Sequence, residues 1–177
     1  MTFDKQKLKT VGRYAILGAF LLLLSILQNT EGYFPAFFSA RAVLLIPAVV
    51  SLAMFENSIA AMLLGVFAGA LWDASASGVG AYAIYLLIVG FICSSLINSV
   101  MRSNIITASL LSTVWLLIFF VGYWLIHYPI AGLDSSAFTL VRYYLPAFIY
   151  SAVLSPVIFL CVRAITASVN KFFDKSN

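Results

Sequence analysis

Long apolar runs separated by short polar segments dominate this 177-residue chain. Runs such as 15–27 and 110–121 do not alternate between apolar and polar residues, which excludes a closed β-barrel, the other structure that can span a bilayer. The pattern instead predicts an all-α integral membrane protein with six transmembrane helices. We place these helices at residues 11–27, 41–55, 58–72, 81–97, 105–127 and 142–164.

The third predicted helix is short for a membrane crossing. Its run of about 15 residues reaches only ~22 Å at 1.5 Å per residue, whereas the hydrocarbon core is ~30 Å thick. Either the segment 74–80 completes the crossing in a non-helical form, or this helix does not cross completely.

Composition and charge agree with a membrane protein and indicate its orientation. The chain is 63% hydrophobic and 9% charged, which leaves no room for a soluble domain and predicts one membrane domain over 1–177. With the segments 1–10 and 171–177 in the cytoplasm, eight of the ten Lys and Arg residues lie inside. This distribution satisfies the positive-inside rule, so the net charge of +4 encodes topology and does not indicate nucleic-acid binding. We therefore expect both termini in the cytoplasm.

Residues that carry catalysis or bind metals are scarce. Two cysteines and one histidine cannot supply a four-ligand zinc site, and a hydrolytic triad would depend on His127 alone. We expect no metal, no cofactor and no enzymatic activity. A small membrane enzyme or channel is the least favoured interpretation.

A stripe of small residues marks one side of the third predicted helix. Ala61, Gly65 and Gly69 are spaced by four, and such positions lie on one helix face. Small residues allow another helix backbone to approach closely, either within the chain or from another subunit. Our hypothesis is a docking surface for a partner's helix, with Arg41 as its electrostatic partner. The candidate site residues are Ala61, Gly65, Gly69, Asp73, Gly78, Gly80 and Arg41.

Asp73 follows this stripe and is a rare charge near apolar surroundings. At a helix C-terminus the macrodipole disfavours its negative charge, so we expect a compensating contact. The carboxylate could accept hydrogen bonds from the backbone of Ser75 and Ala76 in an Asx-type turn. It could also pair with an arginine, Arg41 rather than Arg142, or bind a ligand or proton.

Several features together resemble the MreD family of rod-shape-determining proteins. Leu27-Gln28 closes the first predicted helix, and Leu44-Leu45-Ile46 in the second is followed by a short polar break at Glu56-Asn57. The glycine-rich run 65–72 ends at Asp73. Gly78-Val79-Gly80 then precedes the next predicted helix. The resemblance covers about residues 27–95, and the rest of the chain agrees only in hydropathy.

The resemblance implies a non-enzymatic scaffold in the bacterial cytoplasmic membrane. MreD-like proteins bind MreC, a protein with a single transmembrane helix, and through it connect to MreB, RodA and a penicillin-binding transpeptidase. They support the synthesis of lateral peptidoglycan. The family fold is similar to that of the substrate-binding subunits of energy-coupling-factor transporters.

That fold similarity supplies the alternative function, a vitamin-binding transporter subunit. Such subunits dock to their coupling subunit through small residues spaced by four on the first helix. Ala15 and Ala19 have this spacing here, with Gly18 beside them.

Overall fold

The protein is a bundle of helices, with no strand in the part of the chain that the structure describes. The computed structural model describes residues 2–30, 42–76, 81–99, 103–127, 142 and 144–174, apart from the side chains at 2–9, 126–127, 170 and 172–174. The helices are α1 (Thr2–Asn29), α2 (Leu45–Ala53), α3 (Ser58–Ser75), α4 (Tyr82–Ser99), α5 (Ile105–His127) and α6 (Leu145–Asp174).

Five of these helices are long and apolar enough to cross a membrane. The spans are Thr10–Asn29, Ser58–Ser75, Tyr82–Ser99, Ile105–Leu125 and Leu145–Val169. Their outward faces carry large exposed apolar side chains, among them Ile59, Ile84, Ile106 and Val153. This surface suits contact with lipid, and the prediction of an all-α, multi-pass membrane protein is confirmed.

The short element is α2, whereas the sequence indicated a short third helix. α3 has 18 residues and is therefore ~27 Å long, while α2 has nine and is only ~14 Å long. α2 ends where the hydrogen bonds change from the α-helical pattern to the shorter i→i−3 pattern. The N–H groups of Met54 and Phe55 donate to the carbonyls of Ser51 and Leu52, three residues back.

α2 occupies the centre of the bundle. All nine of its residues are buried, as are residues 42–44 before it. It packs against all five other helices. Eight of its nine residues are apolar, and the hydroxyl of the ninth, Ser51, donates to the Pro47 carbonyl, so the helix can be enclosed on all sides without a polar face towards water.

Neighbouring helices run in opposite directions between two ends of the bundle. Gln28, near the end of α1, bonds to Leu44 at the start of α2. Arg13, near the start of the first span, bonds to Glu56 after α2. α2 and its flanking residues therefore run antiparallel to α1 and between the same two levels.

The later helices continue this alternation. Ser58 at the start of α3 lies beside Ser94 in the last turns of α4. The Phe120 ring contacts Tyr144 near the start of α6, and further along α6 the Phe159 ring stacks on Phe55. The start of the first span and the end of α6 therefore lie at the same end of the bundle.

Candidate functional site

The small-residue stripe of α3 packs against α4 of the same chain. Ala61, Gly65 and Gly69 are all buried. A Cβ atom added to Gly65 would collide with the Leu86 carbonyl, and one added to Gly69 would lie 2.5 Å from the Tyr82 carbonyl oxygen. The two backbones therefore approach as closely as the sequence pattern predicted.

Gly90 of α4 completes this contact from the other side. A Cβ atom there would lie 2.5 Å from the Ala61 carbonyl oxygen. Gly90 is not among the candidate residues taken from the sequence, although it lies in the apolar run of the next helix. The internal contact takes up the face that we expected a partner helix to use.

Three of the expected site residues cannot be placed. Arg41, Gly78 and Gly80 lie outside the described residues. The predicted pairing of Asp73 with Arg41 and the predicted glycine turn remain predictions.

Asp73 caps the helix that follows it. It lies in the last turn of α3, and its Oδ1 and Oδ2 atoms accept hydrogen bonds from the backbone N–H groups of Tyr82 (3.1 Å) and Ala83 (3.0 Å). The donors that we expected were Ser75 and Ala76, but the Ala76 N–H instead donates to the Trp72 carbonyl at 2.9 Å. The carboxylate thus closes the α3–α4 hairpin.

This position resolves the electrostatic problem of a carboxylate at a helix C-terminus. The unpaired carbonyls at the end of α3 disfavour a negative charge, but the N–H groups at the start of α4 favour one. An acceptor near the first turn of a helix also satisfies donors that have no partner within the helix. The Asp73 carboxylate is therefore unfavourable for the end of α3 but stabilises the start of α4.

Two further contacts hold the same end of the bundle. The Asn29 amide at the end of α1 donates to the Ser75 hydroxyl oxygen at 2.8 Å. The rings of Trp72 and Tyr82 stack with centroids 4.5 Å apart. α1, α3 and α4 are consequently fixed to one another next to Asp73.

An ion pair holds the opposite end. The Nε and Nη2 atoms of Arg13 donate to Glu56 Oε1 at 3.0 and 2.6 Å, and Nη2 also approaches the Phe55 carbonyl at 3.4 Å. The Glu56 side chain is 5% exposed and that of Arg13 is 28% exposed. Burial raises the pKa of Glu56, while the charge and hydrogen bonds of Arg13 oppose the rise.

The sequence pointed only weakly to this pair. Glu56 is one of six acidic residues in the chain, and in the sequence it marked only a polar break between two helices. Arg13 contributed only to the charge count. Arg13 and Glu56 are 43 residues apart in the sequence, so no short motif could have indicated that they pair.

A polar cluster supports the buried start of α2. Gln28 Oε1 accepts from the N–H groups of Leu44 (2.8 Å) and Leu45 (3.2 Å). The Ser151 hydroxyl accepts from the Val43 N–H at 2.8 Å and donates to the Ala147 carbonyl at 2.7 Å. Side chains of α1 and α6 thus satisfy backbone donors inside the bundle.

An open apolar groove, here called the α1–α3 groove, lies on the flank of these two helices. Its two cavities measure about 440 Å³ and 320 Å³, and both are lined by Tyr14 and Leu64. The lining continues with Ala15, Gly18, Ala19 and Leu22 of α1, and with Asn57, Ile59, Ala60, Leu63 and Phe67 at the start and along the length of α3.

Among the described residues, no group of three His, Cys, Asp or Glu side chains could hold a metal ion. The chain matches no protein-family model, no curated protein and no solved structure at a significant level. The resemblance to MreD proteins therefore rests on the sequence motifs, and the similarity to transporter subunits remains a prediction.

Replacing Asp73 should destabilise the hairpin in proportion to the hydrogen bonds lost. Asp73→Ala removes both acceptors and should lower the free energy of unfolding by about 0.5–2 kcal/mol, the usual effect of losing a helix N-cap. Asp73→Asn keeps one acceptor and should cost less. Thermal unfolding in detergent measures both, with Asp174→Ala as a control that removes another carboxylate. Equal losses for Asp73→Asn and Asp73→Ala would show that the charge matters more than the cap.

Removing the guanidinium of Arg13 should make the free energy of unfolding depend on pH. In Arg13→Met, the charge and hydrogen bonds of Arg13 no longer oppose burial and only the hydrogen bond from Tyr14 still does, so the pKa of Glu56 in the folded state rises further above its unfolded value. Between those two values the folded protein binds a proton that the unfolded chain does not, so stability increases as pH falls through this window. Thermal unfolding near neutral pH and about two units lower measures the effect.

The double variant Arg13→Met/Glu56→Leu is the control. It replaces the ion pair with apolar side chains, which is often neutral or stabilising for buried pairs. We expect it to recover stability and to lose the added pH dependence. An Arg13→Met protein as stable as wild type at both pH values would show that the pair contributes nothing.

Proposed function

We propose that the protein is a non-catalytic scaffold of the bacterial cell-elongation machinery, an MreD-like protein that binds the transmembrane helix of an MreC-like partner. In this proposal it crosses the cytoplasmic membrane six times, with α2 as the short central crossing and both termini in the cytoplasm. The sequence motifs support the family, and the apolar outer faces of the helices support a role within the bilayer.

The observation that carries the proposal is a second set of small residues, on α6. Cys161, Ala164 and Ser168 are all exposed, and Ala164 and Ser168 are spaced by four. The stripe on α3 is covered by α4, but this one faces outward. Small residues at this spacing let a neighbouring helix pack closely in a membrane, so we assign the partner helix to this face of α6.

The roles of two carboxylates support a structural function. Asp73 is bonded to the backbone of α4, and Glu56 is bonded to Arg13. Both groups stabilise contacts between helices. A scaffold requires this kind of rigidity, because a fixed outer surface loses less entropy when a partner binds.

One observation favours the alternative, a vitamin-binding subunit of an energy-coupling-factor transporter. Ala15 and Ala19 are exposed on α1, at the spacing that such subunits use to dock to their coupling subunit. The two functions thus assign docking to different helices, α6 for the scaffold and α1 for the transporter subunit.

Leucine substitutions on the two helices distinguish these functions. Both Ala164 and Ala19 are exposed, so a leucine at either position should leave folding intact. Co-expressed with the MreC-like protein of the same genome, Ala164→Leu should reduce recovery of the complex about tenfold, equivalent to 1.4 kcal/mol. Ala19→Leu should leave recovery unchanged, and quantitative co-purification measures both.

Two results would contradict the scaffold. One is a wild-type protein that binds no MreC-like partner, and the other is an Ala164→Leu protein that binds it normally. Two other results would support the transporter subunit. Native mass spectrometry would show one vitamin-sized ligand per chain, and Ala19→Leu would abolish co-purification of a coupling subunit.

A further inference from the structure

Two exposed cations share one ridge of α6. Arg163, Ala167 and Lys171 are spaced by four along the helix, so they lie on one face. All three residues are exposed. The two cations are eight residues or ~12 Å apart along the helix axis, and the small methyl group of Ala167 leaves space between their long side chains. We call this surface the α6 basic ridge.

Neither cation has a counter-charge within the described part of the chain. Arg163 and Lys171 form no ion pair or hydrogen bond there. The acidic side chains that the structure describes are those of Glu56, which is bonded to Arg13, and Asp73, which is bonded to the backbone of α4. Both of these carboxylates are already satisfied. The charge of the ridge is therefore available to an anion from outside these residues.

The contacts of α6 place the ridge at the edge of the membrane-spanning part of the bundle. Phe159 lies in one cluster with Ala108 of α5, and α5 begins three residues before Ala108. Arg163 follows Phe159 by four residues, or ~6 Å, on a helix that runs opposite to α5. Arg163 is therefore nearly level with the start of the apolar α5 span, and Lys171 lies beyond the end of the α6 span.

A phospholipid presents its phosphate at this level. The hydrocarbon core is ~30 Å thick and the whole bilayer is ~40–45 Å thick, so each head-group layer is ~5–8 Å deep. Ala167 lies ~6 Å beyond Arg163 along the helix axis, so the space between the two cations falls within that layer. A guanidinium can donate two parallel hydrogen bonds to phosphate oxygens, and the ammonium of Lys171 adds a second positive charge.

We propose that the α6 basic ridge binds the phosphate of an anionic phospholipid between Arg163 and Lys171. Charge complementarity favours this occupant, because basic side chains at a membrane surface attract anionic lipids. A zwitterionic head group carries no net charge and gains less from the two cations. The ridge lies beside Ala164 and Ser168, and lipid binding there does not require the proposed protein partner.

Native mass spectrometry of the detergent-purified full chain tests the head group. Phosphatidylglycerol and phosphatidylcholine with identical acyl chains are added separately, and we expect phosphatidylglycerol to bind more tightly. Arg163→Gln/Lys171→Gln should weaken phosphatidylglycerol binding about tenfold or more, because it removes both charges of the ridge. The control Lys5→Gln/Lys9→Gln removes equal charge from α1 and should bind as wild type does.

A carboxylate placed between the two cations tests the site itself. Ala167 is exposed, so Ala167→Glu should leave folding intact. Its carboxylate is four residues from each cation and can pair with both, so phosphatidylglycerol binding should weaken about as much as in the double variant. Ala167→Gln introduces a side chain of the same size without the charge and should keep most of the binding.

Three results would overturn the proposal. The first is phosphatidylcholine binding as tightly as phosphatidylglycerol, and the second is an Arg163→Gln/Lys171→Gln protein that binds like its charge-matched control. The third is an Ala167→Glu protein that binds like Ala167→Gln. A double variant that binds phosphatidylglycerol normally but no longer co-purifies with an MreC-like protein would instead assign the ridge to an acidic segment of that partner.

Discussion

Hydrogen bonds at the buried start of α2 are the constraint on which the arrangement of the bundle depends. Inside a membrane protein, backbone N–H groups must find partners within the protein, because lipid offers none. Gln28 and Ser151 accept from the N–H groups of residues 43–45. These two side chains allow a helix of nine residues to begin in the interior, and they bind α1 and α6 to it.

Two further sets of polar contacts between helices lie at opposite ends of the bundle. Asp73 closes the α3–α4 hairpin at one end, and the Arg13–Glu56 pair joins α1 to the start of α3 at the other. Between these ends α1 packs loosely along part of α3, which leaves the groove open. The surfaces available for function are consequently on the outer faces of α1 and α6, since glycine contacts occupy the stripe on α3.

The sequence predicted elements whose signal is local and missed those that depend on distant partners. The fifth helix was predicted at residues 105–127, and α5 has these bounds, because a continuous apolar run between polar ends determines it. The spacing of Ala61, Gly65 and Gly69 correctly indicated a close helix contact, with the partner left open between this chain and another. The length of α2, the partner of Glu56 and the donors to Asp73 were not predictable, because each depends on residues brought together only by folding.

Hydrogen–deuterium exchange of the backbone at residues 43–45 tests the role of the buried polar cluster most directly. Gln28→Leu keeps side-chain volume but removes the acceptor, and an unpaired buried donor costs about 1–3 kcal/mol. We expect exchange at Leu44 and Leu45 to accelerate about tenfold or more relative to wild type, while the middle of α5 keeps its protection. Unchanged exchange at Leu44 and Leu45 in Gln28→Leu would contradict the claim that this cluster holds α2 in place.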